Sequence, residues 1–128
     1  MPARLEHVNI CVPDPVATAA VLERLFDWRI RWEGVSPGDG YSVHVGDTEG
    51  YVALYRPGHG MQAADPGRYR RWAGLNHVGV VVSDLDQAEA RVRAEGYETH
   101  GHAAYEPGRR FYFDGPDGVE YEVVAYGA

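Results

Sequence analysis

Two histidines recur inside one repeated phrase. Leu5-Glu6-His7-Val8-Asn9-Ile10-Cys11-Val12-Pro13-Asp14 returns 70 positions later as Leu75-Asn76-His77-Val78-Gly79-Val80-Val81-Val82-Ser83-Asp84. Imidazole is a common ligand for divalent first-row metals and titrates near neutrality. A histidine at the same place in both copies therefore points to metal binding or proton transfer. The segment Val119-Glu120-Tyr121-Glu122-Val123-Val124 supplies acids. Strand alternation puts Glu120, Glu122 and Val124 on one face and Val119, Tyr121 and Val123 on the other. Two imidazoles and one of these carboxylates make a facial set for Fe(II), Mn(II), Ni(II) or Zn(II), with positions left over for a bidentate substrate.

The elements that must position these groups follow from periodicity. Val8, Ile10 and Val12 alternate with Leu5, His7, Asn9 and Cys11, and the second copy does the same, so each histidine faces away from the aliphatic side of its strand. After Asp14-Pro15, Val16, Ala19, Leu22, Leu25 and Phe26 fall at helical spacing. The counterpart helix runs from Asp84 to Glu95 with Leu85, Ala88 and Val92 buried and Gly96 as the stop. Shorter strands are predicted at Trp28 to Trp32, Tyr41 to Val45 and Tyr51 to Tyr55, then at Tyr97 to His100, Arg110 to Phe113 and Val119 to Ala125. Each unit reads β-α-β-β-β, and the fold class is α+β. About 55 residues are too few to close a core alone, so one domain over 1–128 is expected. Module 1 covers about 3–56 and module 2 about 73–126, with a Gly-, Pro- and charge-rich connector at 57–72 that is neither strand nor helix. The two modules are expected to pair into a curved mixed sheet around a metal cleft, helices outside.

Composition narrows the function classes. A formal charge of −7 disfavours nucleic acid, since the basic residues are scattered apart from Arg68-Tyr69-Arg70-Arg71 and Arg109-Arg110. A single cysteine forms no internal disulfide, and no leader-like or membrane-spanning apolar run is read. A cytoplasmic protein without a membrane partner is expected.

The paired units, the two His-Val openings and the closing Phe111-Tyr112-Phe113-Asp114-Gly115-Pro116-Asp117-Gly118-Val119-Glu120-Tyr121-Glu122 resemble the vicinal oxygen chelate superfamily. That group includes glyoxalase I, methylmalonyl-CoA epimerase, extradiol dioxygenases, fosfomycin-resistance transferases and bleomycin-binding resistance proteins. The resemblance implies one divalent metal ion (Fe, Mn, Ni or Zn) on His7, His77 and Glu122, with Ala53 at the family's fourth ligand position. Glyoxalase-like enzymes use an acidic or amide side chain there. Alanine does neither metal binding nor proton transfer, which counts against that isomerisation. Three ligands of this kind suit extradiol dioxygenases and fosfomycin transferases. Tyr112, ten residues before Glu122, matches a tyrosine that hydrogen-bonds substrate in the extradiol signature, and His102 is the nearest candidate acid/base. Arg109 and Arg110 are placed to meet an anionic group. His44 is expected near the place that matches Tyr112, and Asn9 shares the His7 face. The resemblance also implies a homodimer.

The remaining polar residues read more plainly. Glu120 is a hydrogen-bonding neighbour, Cys11 a small buried residue, and His59 a surface loop residue. Trp28, Ile30 and Trp32 mark a half-buried strand, and Arg68 to Trp72 a solvated lip. The tyrosines and tryptophans suit a pocket for a planar substrate or an ordinary core. The resulting expectation is a metal-dependent enzyme that chelates neighbouring oxygens of a small substrate, with Fe(II) dioxygenase-like chemistry favoured. The alternatives are a glyoxalase-like lyase or isomerase, a fosfomycin-type transferase, and a metal-free antibiotic-binding protein.

Overall fold

In a computed structural model, which describes residues 2–63, 67–105 and 108–127, the chain divides into two compact units, Met1–Gln62 and Ala63–Ala128. The first holds β1 (His7–Cys11), α1 (Pro15–Phe26), β2 (Arg29–Ser36), β3 (Gly40–Gly46) and β4 (Tyr51–Arg56). The second holds β5 (Val78–Val81), α2 (Leu85–Ala94), β6 (Thr99–Tyr105), β7 (Gly108–Asp114) and β8 (Glu120–Tyr126). Each unit is the expected βαβββ arrangement, with one four-stranded sheet in the order β1-β4-β3-β2 or β5-β8-β7-β6. The first strand of each unit runs parallel to the last, and the other pairings are antiparallel. The part of the expected connector at residues 64–66 lies outside the described residues, and Arg68–Arg70 forms a single 3-10 turn where no helix was expected.

Both helices start for the same reason. The carboxylates of Asp14 and Asp84 accept the backbone N–H of Ala17 (3.1 Å) and Gln87 (3.0 Å), satisfying a donor that the first turn leaves open. Pro15 opens α1, where its missing N–H costs nothing. Past the end of α2, Gly96 takes φ +94°, and the N–H groups of Gly96 and Tyr97 bond back to Arg93 and Val92 (2.9 and 3.3 Å). That αL closure is easiest for glycine.

Each helix covers one face of its own sheet. Toward the helix, unit 1 buries Ile10, Val12, Ala19, Leu22, Leu25, Val43, Val45, Val52 and Leu54 among others, and unit 2 buries Val80, Leu85, Ala88, Val92, Phe111, Phe113, Tyr121 and Val123. Burial of a side chain of Leu or Phe size stabilises by about 1.5–3 kcal/mol. Val16 departs from expectation: it is 49% exposed, and Pro15 and Thr18 join the α1 stripe in its place. Cys11 is also exposed rather than buried, because it lies on the face of β1 opposite the helix. β2 and β6 outrun the expected strands, since their ladders continue to Ser36↔Gly40 and Tyr105↔Gly108. Among the described residues, no helix is long and apolar enough to cross a membrane.

Candidate metal centre

In unit 2 the register sets out the chemistry. Glu122 of β8 is level with Gly79 of β5 and Tyr112 of β7, and Glu120 is level with Asp114. Their neighbours Phe111, Phe113, Tyr121 and Val123 fill the helix side, so alternation turns Tyr112, Asp114, Glu120 and Glu122 to the other face. His77 stands one residue before β5. Its Nε2 lies 3.1 Å from Glu122 Oε1, and its Nδ1 lies 4.0 Å from Glu120 Oε1. The second oxygen of Glu122 accepts a 2.7 Å charge-assisted hydrogen bond from Arg110 Nη1, with both side chains nearly buried. The Tyr112 ring meets His77 edge-on (5.5 Å between centroids) and stacks on His100 (6.2 Å). Gly101 permits this placement, because a Cβ there would lie 2.7 Å from the Tyr112 ring and its φ is +64°.

Unit 1 carries the equivalent positions with other side chains. The pairings His7↔Tyr51, Asn9↔Ala53 and His44↔Ala53 put Ala53 at the register place of Glu122, and His44 at that of Tyr112. Ala53 is 2% exposed, and Asn9 is exposed on the same face. His7 and His44 both stack on Tyr51 (4.9 and 4.5 Å), the Arg31 guanidinium sits over that ring at 4.7 Å, and Trp32 leans on His44. Burial, with smaller effects from His7 and Arg31, lowers the His44 pKa below the ordinary histidine value. Glu6 accepts from His7 Nδ1 at 2.8 Å and from the Tyr51 hydroxyl at 3.1 Å, and these bonds hold its carboxyl below the usual range. An ionised carboxylate only accepts, so this bond needs a proton on His7 Nδ1, and the neutral ring in that form has its lone pair at Nε2. That tautomer is the one a metal-ligating histidine with an orienting carboxylate adopts.

The donors fit a divalent cation. Two ligands about 2.1 Å from one ion and roughly a right angle apart stand about 3 Å from each other, which is the separation of His77 Nε2 from Glu122 Oε1. The Nδ1 atom of His77 is buried and has no hydrogen-bond partner among the described residues. A cation held at Nε2 would leave the ring proton on Nδ1, which faces Glu120 Oε1 at 4.0 Å. A second group of donors, His100, Asp114 and Glu120, lies with its ligand atoms within 4.8 Å of one another.

His102 is not brought to this face. The β6–β7 register slips between His100 and Ala103, and the extra residue resets the alternation. The His102 ring packs on Phe111 at 6.1 Å, and its Nε2 bonds Glu89 of α2 at 2.6 Å. Both residues line a cavity of about 260 Å³ with Leu85 and Arg109. The expected lip is solvated at Trp72, yet the Tyr69 hydroxyl donates to Glu120. Sequence reasoning missed Glu6, Arg31, Tyr69 and Glu89. Glu6 alone had a local signal, as a carboxylate adjacent to a repeated histidine.

Glu89 Oε2 accepts from Thr99 Oγ1 (2.5 Å), His102 Nε2 (2.6 Å) and Arg93 Nη2 (2.8 Å). Burial raises its pKa, but these donors outweigh it and hold the carboxyl below the ordinary glutamate value. A depressed folded pKa adds stability that is present above the unfolded value and is lost as pH falls through the folded one. Glu89→Gln should therefore be less stable near neutrality and lose less on acidification, as read by urea midpoints across pH. An unchanged acid slope would refute this.

Residues 6–113 match a family model described as the Glyoxalase/Bleomycin resistance protein/Dioxygenase superfamily. A glyoxylase/bleomycin resistance protein/dioxygenase domain from Frankia sp. EAN1pec superposes with TM-score 0.81 at 20% identity, covering 99% of this chain and 94% of that one. The fosfomycin resistance protein FosX from Listeria monocytogenes, complexed with Mn(II) and sulfate, gives 0.70 at 18% identity, with 99% and 95% covered. A glyoxalase family protein from Enterococcus faecalis gives 0.71 at 16%, with 96% of both chains covered. A search of curated proteins finds no match. At these identities the structural likeness shows a shared fold.

Proposed function

The chain belongs to the Glyoxalase/Bleomycin resistance protein/Dioxygenase superfamily, and from that membership we propose that it is a divalent-metal enzyme acting on a small substrate through two neighbouring oxygens. The proposed ligands are His7, His77 and Glu122. The observation that carries the reading is the 3.1 Å spacing of His77 Nε2 and Glu122 Oε1, a separation that two ligands of one ion would have. His7 is assigned to the set by its equivalent place in the repeat and by the tautomer that Glu6 imposes. Mn(II) accompanies FosX of the same fold, which supports a divalent ion without choosing among Fe, Mn, Ni and Zn.

A cation bound there would supply Lewis acidity toward a substrate hydroxyl and, if Fe(II), a partner for dioxygen. The chain's own groups do the rest. Tyr112, edge-on to His77, would hydrogen-bond a substrate oxygen through its hydroxyl. Arg110 and Asn9 offer polar contacts, and His44, whose pKa burial lowers, offers a hydrogen bond. Ala53 contributes no proton-transfer group at the place level with Glu122, which disfavours glyoxalase-type isomerisation. Three protein ligands leave room for a bidentate substrate and O₂, so Fe(II) dioxygenase-like chemistry is the reaction we favour. A homodimer in the cytoplasm completes the proposal.

Anaerobic reconstitution with Fe(II), Mn(II), Ni(II) or Zn(II), followed by oxygen-uptake assays on catechols, tests it. About one metal per chain and oxygen consumption with iron alone is expected. Turnover of 2-oxoaldehyde thiol adducts with nickel or zinc, or of an epoxyphosphonate with manganese, would move the reaction class and keep the centre. Tight small-molecule binding unaffected by a chelator, in a protein that takes up no metal, would replace catalysis with sequestration.

A further inference from the structure

We infer that Arg110 is a positioning residue that restricts Glu122 to one-oxygen ligation and sets a positive charge against the bound cation, so that metal affinity is held below what the ligands alone would give. The inference rests on the proposed metal centre and concerns only residues of unit 2. Arg110 is two residues before Tyr112 on β7, on the same face, and so is a diagonal cross-strand neighbour of Glu122. Its Nη1 takes Glu122 Oε2 at 2.7 Å, whereas Oε1 faces His77 Nε2 at 3.1 Å. The two oxygens thus have different partners, and only Oε1 is turned to the imidazole.

A carboxylate that binds through one oxygen fills one coordination position instead of two, leaving one more for substrate. The side chains of Arg110 and Glu122 are 11% and 14% exposed, so water screens the guanidinium poorly and its repulsion of a nearby cation is larger than at a surface. The pair also means that Glu122 has a counter-charge when no metal is bound. In unit 1 the register place of Arg110 is taken by Ser42, whose hydroxyl bonds Ser36 at 2.5 Å.

The test is Mn(II) affinity by titration calorimetry on the full chain, with circular dichroism as the check of folding. Arg110→Gln keeps a donor for Oε2 and removes the charge, so Mn(II) should bind about tenfold tighter or more. Arg110→Met serves as the second variant should the glutamine form not fold, with the same expectation. Equal or weaker binding in the folded variant would overturn the role given to Arg110. Glu122→Gln, measured alongside, separates the two ideas. If it abolishes binding while Arg110→Gln changes nothing, only this inference fails. If wild type binds no Mn(II), or Glu122→Gln binds as well as wild type, the metal centre itself fails and this inference with it.

Discussion

Glu122→Ala is expected to emerge from purification with less than about a tenth of the wild-type metal content, and to lose added Fe(II) or Mn(II) on brief dialysis. The carboxylate is one of three proposed ligands and the only anionic one. Its removal costs both a bond and the charge that offsets a dication, and loss of a first ligand typically weakens a site far more than the 10–100-fold seen for orienting partners. The same change removes the counter-ion of a nearly buried guanidinium, because Arg110 Nη1 is 2.7 Å from Glu122 Oε2. Breaking a buried pair from one side destabilises by up to about 3–5 kcal/mol, so the variant should also melt earlier. His77→Ala separates the two effects. It should lose metal to a similar degree while leaving the Arg110–Glu122 pair intact, with a smaller fall in stability. Elemental analysis and thermal denaturation of both variants read these outcomes. Full metal retention in both would remove the proposed centre.

The second large effect is on stability. Phe113→Ala should destabilise unit 2 by about 3–5 kcal/mol, measured by urea unfolding. Phe113 is fully buried, stacked on Tyr121 at 5.2 Å and in contact with Tyr97 and Phe111. Truncation leaves a cavity among rigid aromatic and β-branched neighbours that collapse poorly. Trp72→Ala is the contrasting control: the residue is 98% exposed, and the expected change is within about 0.5 kcal/mol. A functional consequence follows from the pleat. Phe111, Phe113 and Tyr121 hold one face of β7 and β8, and the other face carries Arg110, Tyr112 and Glu122. Disturbing the aromatic layer should therefore weaken metal binding in Phe113→Ala even under conditions where the protein stays folded. A loss of less than about 1 kcal/mol would show that this layer is not the core of the unit.

Much of the fold was legible because its signals are local. The alternation around Val8, Ile10 and Val12, the Asp14-Pro15 and Asp84 starts, and Gly96 each depend on residues a few positions apart, and the two βαβββ units follow from them. The register match of Ala53 with Glu122 and of His44 with Tyr112 was also within reach, since the repeat carries strand spacing from one unit to the other. Val16 and Cys11 went the other way because apolar character alone does not say which face of an element is covered.

The chain's own residues thus determined the repeat, the two helices and their caps, and the row of candidate ligands at matching strand positions, since each of these is written in short-range periodicity. Tertiary structure alone decided how that row is used. The extra residue at Gly101 turned His102 from the Glu122 face to Glu89 of α2, and Arg110, twelve residues from Glu122, closed on its carboxylate. A bulge reverses side-chain direction without changing residue spacing, and an ion pair between strands depends on the pairing register. Neither leaves a trace in the linear order of the residues.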